Sequence, residues 1–314
     1  MRSMKCVLLL ASAIACATAS AAMAQAARPP VARDTNITHV LLLMDGSTLV
    51  GKLISRDSAV IHFETNGGTL TLPIGRVKEL RAIDSTDVRG DEYWFPDANE
   101  TRLFFAPTGR MLKKGEGYYS NTYILLQNFV GAPSDRFTFG GGFSIVPSDD
   151  FLQDNLYYIT PKLGIYNTPK TNVAAGVLVG VLPGSGTSGS ESFGILYAVG
   201  TRGGPDASVT GGIGYGFANG DLQSRPVFML GGAKRVSRRV SLVTENYGFW
   251  TRDQVSISCV TYPCTYRERN DFHGLISYGI RFMGEKISTD LALWNSPEQF
   301  RFPGVPYLGF AVKF

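Results

Sequence analysis

The stretch that most constrains this chain is the C-terminal one, from Tyr307 to Phe314. Large apolar side chains occupy every second position there, at Leu308, Phe310, Val312 and Phe314. A period of two indicates a β-strand with one apolar face. At the edge of a soluble sheet such a strand promotes aggregation. In a closed barrel the last strand pairs with the first, so the pattern predicts a closed barrel.

The chain as a whole has a composition typical of many strands and turns. Glycine (36 residues), tyrosine (14) and phenylalanine (19) are abundant, and only 18% of residues are charged. Strand-like segments of about ten residues follow one another from Thr101, and each could cross a bilayer at a tilt. We predict about twelve strands, with Thr101–Pro107 as the first and Gly117–Val130 as the second. A ten-strand barrel with two misassigned segments is the alternative.

The gaps between these segments alternate in length. Residues 108–116, 147–155 and 251–271 are long gaps, whereas 131–135 and 167–171 are short ones. Outer-membrane barrels have short periplasmic turns and long outer loops. With an even number of strands, both ends of the barrel are expected on the short-turn side, and the N-terminal domain in the periplasm.

The C-terminal strand that ends in Phe314 resembles the closing strand of bacterial outer-membrane β-barrel proteins. The resemblance implies that the barrel-assembly machinery recognises Phe314 as an assembly signal. It also implies that outer-membrane lipid surrounds the barrel and that the protein lies in the bacterial outer membrane.

Residues 1–24 have the features of a secretory signal peptide. Arg2 and Lys5 precede an apolar core, Cys6 to Ala15, which is too short to span a bilayer as a helix. Ala22-Met23-Ala24 is a cleavage site, so we expect the mature chain to start at Gln25. Lipoprotein processing before Cys16 is a weaker alternative, because that signal prefers Leu where Ala13 stands. Removing Arg2 and Lys5 lowers the formal net charge from +4 to +2, too little to indicate a nucleic-acid partner.

A small β domain is predicted over residues 37–83, after a polar lead-in at 25–36. Five short strands with Asp45-Gly46 and Asn66-Gly67-Gly68 turns indicate a small barrel. The order Val-x-Leu-x-Asp-Gly, Ile-x-Phe and Gly-x-Leu-x-Leu-Pro resembles Sm-like and SH3-like barrels. RNA binding is not expected, because the domain is exported and lacks a basic cluster and an aromatic stacking platform. We expect a periplasmic interaction or assembly module with a protein partner.

Residues 84–100 are predicted to link this domain to the barrel at 101–314. The linker is acidic, which favours solvated chain. Its apolar patch, Tyr93-Trp94-Phe95-Pro96, is expected to dock on the barrel rim or on the small domain.

Few residues suggest a disulfide, a ligand-binding motif or a catalytic site. Cys259 and Cys264 would form a small loop disulfide in an exported chain. Gly184 to Gly189 matches G-x-G-x-x-G but lies between strands, so we interpret it as a loop. His273 and Ser277 would lie about 13 Å apart along one strand, too far for a hydrogen bond. We therefore predict no catalytic, cofactor or metal site and no enzyme activity.

Charges in a membrane-spanning strand are expected to face the lumen, because a lipid-facing charge costs about 2–4 kcal/mol at the midplane. We place six charged residues there: Arg136, Lys162, Arg202, Glu245, Arg281 and Asp290. They would either tune ion selectivity or pair and fill the lumen. Many lumen-face glycines favour a channel or a lumen filled by another segment. Porin-like passage of small solutes is the leading hypothesis; a barrel that anchors a periplasmic binding module is second, and an outer-membrane lipid enzyme is third.

Overall fold

The computed structural model describes residues 37–148, 150–184, 189–258, 265–299 and 302–314. The predicted signal peptide, the lead-in and the Cys259–Cys264 disulfide lie outside these residues. The chain divides into two compact units, Met1–Glu92 and Tyr93–Phe314.

The first unit contains the predicted five strands as one antiparallel sheet. They are β1 (Thr38–Leu43), β2 (Thr48–Arg56), β3 (Val60–Thr65), β4 (Gly68–Pro73) and β5 (Val77–Ile83), with 3-10 turns at Ile74–Arg76 and Ser85–Asp87. Their order in the sheet is β4-β3-β2-β1-β5, and the core consists of Leu41, Leu43, Ile61 and Phe63. A short hairpin of β6 (Val88–Arg89) and β7 (Glu92–Tyr93) follows in the chain. The likeness to Sm-like and SH3-like barrels stays a prediction.

The second unit is a closed antiparallel barrel with twelve strand positions, as predicted. The strands are β8 (Gly117–Thr122), β9 (Leu126–Ser134), β10 (Phe137–Ser144), β11 (Tyr157–Ile159), β12 (Lys162–Asn167), β13 (Thr171–Leu182), β14 (Glu191–Gly203), β15 (Ala207–Ala218), β16 (Asp221–Leu222), β17 (Val227–Ser237), β18 (Val240–Ser258), β19 (Thr265–Met283), β20 (Ile287–Asn295) and β21 (Val305–Lys313). β11 and β12 together form the fourth position, and the short β16 pairs with the end of β15.

The C-terminal strand closes the barrel. β21 pairs antiparallel with β8, with Gly309 opposite Thr122 and Lys313 opposite Tyr118. The ladder continues to the last residue, because the N–H of Phe314 donates to the carbonyl of Gly117 at 2.9 Å. Leu308 is exposed, whereas Tyr307 and Ala311 are buried, so the alternation read from the sequence separates an outer from an inner face. Whether Phe314 is also an assembly signal stays a prediction.

Two strand assignments near the start of the barrel were wrong, and they cancelled in the count. Thr101–Pro107 is not a wall strand, and the predicted strand Gly117–Val130 is a hairpin of β8 and β9. Its turn, at residues 123–125, contains no glycine, proline or asparagine, and Tyr123 and Ile124 adopt positive φ values of 55° and 69°. The usual turn signals are therefore missing from the sequence.

The connections separate the two ends of the barrel. At one end they span two or three residues, at 135–136, 168–170, 204–206, 238–239 and 284–286. The other end has the longer connections, apart from residues 123–125; the helix α1 (Phe151–Asp154) and the 3-10 turn at Pro297–Gln299 lie there. β8 begins and β21 ends at the short-connection end. The described residues contain no helix long and apolar enough to cross a membrane.

The gap pattern predicts an outer loop at residues 108–116, and this prediction was wrong. These residues precede β8 and lie at the short-connection end. The N–H of Lys114 donates to Asp135, in the β9–β10 turn, at 2.7 Å, and the N–H of Gly115 donates to the carbonyl of Ala132 at 2.9 Å.

Candidate functional site

Residues 93–112 run through the inside of the barrel, and we call them the interior segment. Asn99 and Phe104 in this segment have no exposed surface. The segment hydrogen-bonds to side chains of β12, β14, β18, β19 and β21, which are spread around the wall. A chain outside the barrel could reach only neighbouring strands, so these contacts place the segment in the lumen.

A tight loop forms the tip of the interior segment. Arg102 pairs with Pro107 in a β-bridge, and the N–H of Leu103 donates to the carbonyl of Ala106 at 2.9 Å. This turn presents Phe104 and Phe105 to the aromatic side chains of the wall. The Phe104 ring lies 5.2 Å from the Tyr307 ring and 6.1 Å from the Trp294 ring, between centroids. Such aromatic contacts pack the tip into a core cluster.

Glu245 binds the backbone of this tip. Its Oε2 accepts hydrogen bonds from three successive N–H groups, those of Phe104 at 2.7 Å, Phe105 at 3.0 Å and Ala106 at 3.0 Å. Its Oε1 accepts from the Tyr247 hydroxyl at 2.7 Å. Successive backbone N–H groups form a concave site for an anion. The carboxylate therefore fixes the loop from the wall.

Arg281 holds the segment from a second strand. Its guanidinium donates to both carboxylate oxygens of Asp290, at 2.6 and 3.0 Å, and to Asp97 at 2.8 Å. It also donates to the carbonyls of Leu103 at 2.7 Å and Asn99 at 3.1 Å. Asp290 and Arg281 belong to the wall, whereas the other three residues belong to the segment. Bidentate pairing of this kind is strong and geometrically specific.

Lys162 and Thr201 bind the last part of the segment. The Lys162 Nζ donates to the carbonyls of Arg110 at 2.7 Å and Thr108 at 3.2 Å. The Thr201 hydroxyl accepts from the N–H of Gly109 at 2.8 Å. The wall therefore holds the segment by hydrogen bonds near its middle and near its end.

The six charged residues placed in the lumen from the sequence do not share one role. Lys162, Glu245, Arg281 and Asp290 are buried against the interior segment. Arg136 lies exposed in the β9–β10 turn. Arg202 is exposed beside the buried Thr201 and points away from the lumen, because neighbours on a strand face opposite sides.

The error at Arg202 comes from the parity of β14, which has two apolar faces. Leu196 is exposed, whereas Phe193, Ile195, Tyr197 and Val199 line the inside. The larger apolar face therefore points inward, and Gly194 and Gly200, on the other face, point away from the lumen.

The interior segment was missed by sequence reasoning, which divided it between a linker and a strand. The apolar patch Tyr93-Trp94-Phe95-Pro96 was its one visible signal. Tyr93 and Phe95 are buried in the second unit. The Arg235 guanidinium donates to the carbonyl of Phe95 at 2.9 Å and lies 5.0 Å from the centroid of the Trp94 ring.

Ser277 and His273 each make other contacts in the barrel wall. The Ser277 hydroxyl donates to the carbonyl of Glu245 at 2.6 Å and accepts from the Glu245 N–H at 2.9 Å, so it is part of the wall. The His273 ring stacks near Phe249, 6.1 Å away between centroids. Residues 185–188 of the glycine-rich string lie outside the described residues.

A cavity of about 360 Å³ lies in the barrel on the long-connection side of the interior segment. Its floor is formed by segment residues that include Arg102, Phe105 and Pro107. Its wall is mostly apolar. Most of it comes from the halves of strands near the longer connections, whereas Tyr118 lies near the short-connection end. The apolar wall residues are Leu126, Val130, Leu156, Leu178, Phe193, Ile195, Val199, Val227 and Met229, joined by Tyr118, Tyr158, Tyr197 and Tyr247. A concave, largely apolar space with a few polar groups is typical of small-molecule sites.

Comparisons with known proteins give only distant structural matches. No protein-family model matches the chain, and no curated protein matches it. The solved structure of the NanC porin in a rhombohedral crystal form is similar, with a TM-score of 0.36 and 10% identity over 63% of this chain and 96% of that one. Outer-membrane expressed OmpT of Vibrio cholerae has a TM-score of 0.34 and 11% identity over 88% of this chain and 94% of that one.

Proposed function

We propose that this protein is an outer-membrane β-barrel that takes up small apolar solutes into a lumen closed by its own interior segment. Its outer surface supports the membrane location. Ile165, Leu196 and Leu230 are each more than half exposed. A soluble protein rarely exposes so many large apolar residues, whereas a lipid-facing wall requires them. The long connections would then face outward, and the N-terminal unit would lie in the periplasm.

The interior segment argues against an open, ion-conducting pore. Four of the six predicted lumen charges hydrogen-bond to the segment or to each other instead of lining a water channel. The apolar cavity beyond the segment is the observation that carries the proposal, because water gains little from an apolar surface and an apolar solute gains much. The hypothesis of porin-like passage is therefore narrowed to apolar solutes. The interior segment would have to move before any solute crosses the barrel.

The second candidate is a barrel that anchors the small β domain, which would bind a periplasmic partner. The closed lumen favours this candidate as well, because an anchor needs no passage. The two candidates differ at the cavity: an anchor needs no ligand there.

Binding of the apolar fluorophore N-phenyl-1-naphthylamine to the refolded mature protein tests the proposal. We expect saturable binding to wild type and loss of binding in Leu178→Trp, because Leu178 lines the cavity and the larger ring would fill it. Leu196→Trp is the matched control, since the same substitution there lies on the exposed outer face.

Conductance in a planar bilayer completes the test. We expect no steady current from wild type, because the interior segment fills the lumen. Steady current, or fluorophore binding that is equal in wild type and both variants, would contradict the proposal. Absence of any saturable binding would favour the anchor.

A further inference from the structure

Arg102 lies at the boundary between the interior segment and the apolar cavity. It is 9% exposed and lines the cavity floor. Its Nε donates to the Asn99 side chain at 2.8 Å, which fixes the direction of the guanidinium. Its buried Nη2 has no hydrogen-bond partner among the described residues. A buried, unpaired guanidinium nitrogen is costly, because charge taken out of water requires a partner.

The other buried cations of the barrel interior are paired. Arg281 binds two carboxylates, and the Lys162 Nζ is engaged by backbone carbonyls. Arg235 binds the carbonyl of Phe95. Arg102 differs from them, because its buried Nη2 has no hydrogen-bond partner and no carboxylate lies within ion-pair distance of it among the described residues. The ring of Tyr118, in the wall, lies with its centroid 5.9 Å from the guanidinium carbon of Arg102.

We propose that the cavity binds an amphipathic carboxylate, with the apolar chain against the wall and the carboxylate on Arg102. This inference rests on the proposed function and names the class of solute. A monoanion matches one unpaired guanidinium, whereas a phosphate dianion would need a second free cation, and Lys162 is already engaged. The volume, about 360 Å³, is near the lower end of the 300–1,000 Å³ that small-molecule pockets span, so the ligand is small.

The anionic group would complete the site electrostatically. Arginine binds carboxylates in a planar, charge-assisted geometry, and a low-dielectric surrounding strengthens that contact. The apolar chain supplies affinity without direction, and Arg102 supplies the preference for a negative head group. The ligand would bind with its head group on the interior segment and its chain toward the long connections.

Displacement of bound N-phenyl-1-naphthylamine by decanoate, 1-decanol and decylamine tests this assignment on the refolded mature protein. Each affinity is corrected for partition into protein-free micelles. We expect decanoate to bind wild type most tightly and decylamine least. Equal affinities, or the reverse order, would overturn the proposal without any variant.

Variants at Arg102 test whether this residue causes the preference for decanoate. We expect Arg102→Gln to lose about tenfold or more in decanoate affinity, as removal of a hydrogen bond to a charged group does. Binding of 1-decanol should change less than twofold, and Arg102→Lys should recover part of the decanoate affinity. Arg136→Gln is the control, because Arg136 is exposed in a turn. Heat-modifiable mobility on a gel checks that each barrel is folded.

The outcomes separate the two proposals. Fluorophore binding with no preference for decanoate, or an equal loss of decanoate and 1-decanol in Arg102→Gln, would overturn the carboxylate assignment and leave the apolar cavity in place. Failure of the fluorophore and of all three ligands to bind would overturn both.

Discussion

Replacing Arg281 should release the interior segment from the wall. In Arg281→Met the buried Asp290 and its neighbour Asp97 lose their cation, and the carbonyls of Asn99 and Leu103 lose a donor. Breaking one side of a buried ion pair costs about 3–5 kcal/mol. If that cost falls on the closed state, the released population rises by about 140- to 3,700-fold, since each 1.4 kcal/mol is a factor of ten.

Trypsin cleavage after Arg102 measures that population. Arg102 is 9% exposed in the closed barrel, and cleavage after it requires the segment to leave the wall. When opening is fast relative to cleavage, the rate follows the open population. We expect Arg281→Met to accelerate this cleavage by about two orders of magnitude or more. Arg202→Met should leave the rate unchanged, because Arg202 is exposed on the outer face.

A double variant tests the electrostatic reasoning itself. Replacing a buried ion pair by apolar residues is often neutral, whereas leaving one charge unpaired is not. Arg281→Met with Asp290→Leu should therefore be cleaved more slowly than Arg281→Met alone. Equal cleavage in single and double variants, or no acceleration over Arg202→Met, would refute the view that Arg281 anchors the segment. Cleavage spread over the whole barrel would indicate unfolding of the wall instead.

Two further predictions concern packing and pH. A Cβ at Gly231 would lie 2.5 Å from Leu103 Cδ1 and 2.5 Å from the carbonyl oxygen of Thr244, so Gly231→Ala should lower the free energy of unfolding by about 1–3 kcal/mol. Gly200→Ala, with no atom within 4 Å, is the control in the same urea titration. In the small β domain, N–H groups of Val60 and Ala59 lower the pKa of Asp57 below 3.8. Its stabilising effect is complete above the unfolded-state pKa and is lost as the pH falls through the folded-state pKa; hydrogen exchange of β3 amides should show this loss in wild type and not in Asp57→Asn.

The sequence was sufficient for the architecture because a barrel wall repeats one simple rule. Alternation at Leu308, Phe310 and Val312 separates an outer from an inner face of the wall, and β21 closes the barrel against β8. The short connections at one end also follow from turn residues. The predicted number of strands was right because two errors compensated for each other. Thr101–Pro107 was counted as a strand, and the two strands β8 and β9 were counted as one.

The site could not be predicted because the same alternation has two causes. The pattern of apolar residues in 101–107 is that of a membrane strand, but Leu103 and Phe104 are buried inside the barrel. On β14 both faces are apolar, so the pattern cannot say which one points inward. Glu245 and Arg281 were visible as charges in strands. Most of their partners in the interior segment are backbone groups, and backbone groups leave no trace in the sequence.

Closure and ligand binding share one structural element. The interior segment is held from the wall by Glu245, Arg281 and Lys162, and the same segment carries Arg102 into the cavity floor. A carboxylate on Arg102 would therefore bind the closed segment, and its affinity would fall if the segment left the lumen. Because coupling between two equilibria is reciprocal, the ligand would stabilise closure by the same factor by which closure strengthens binding. Release across the barrel would then require a second event that displaces the segment, and such an event would act at the short-connection end, where the chain enters the barrel.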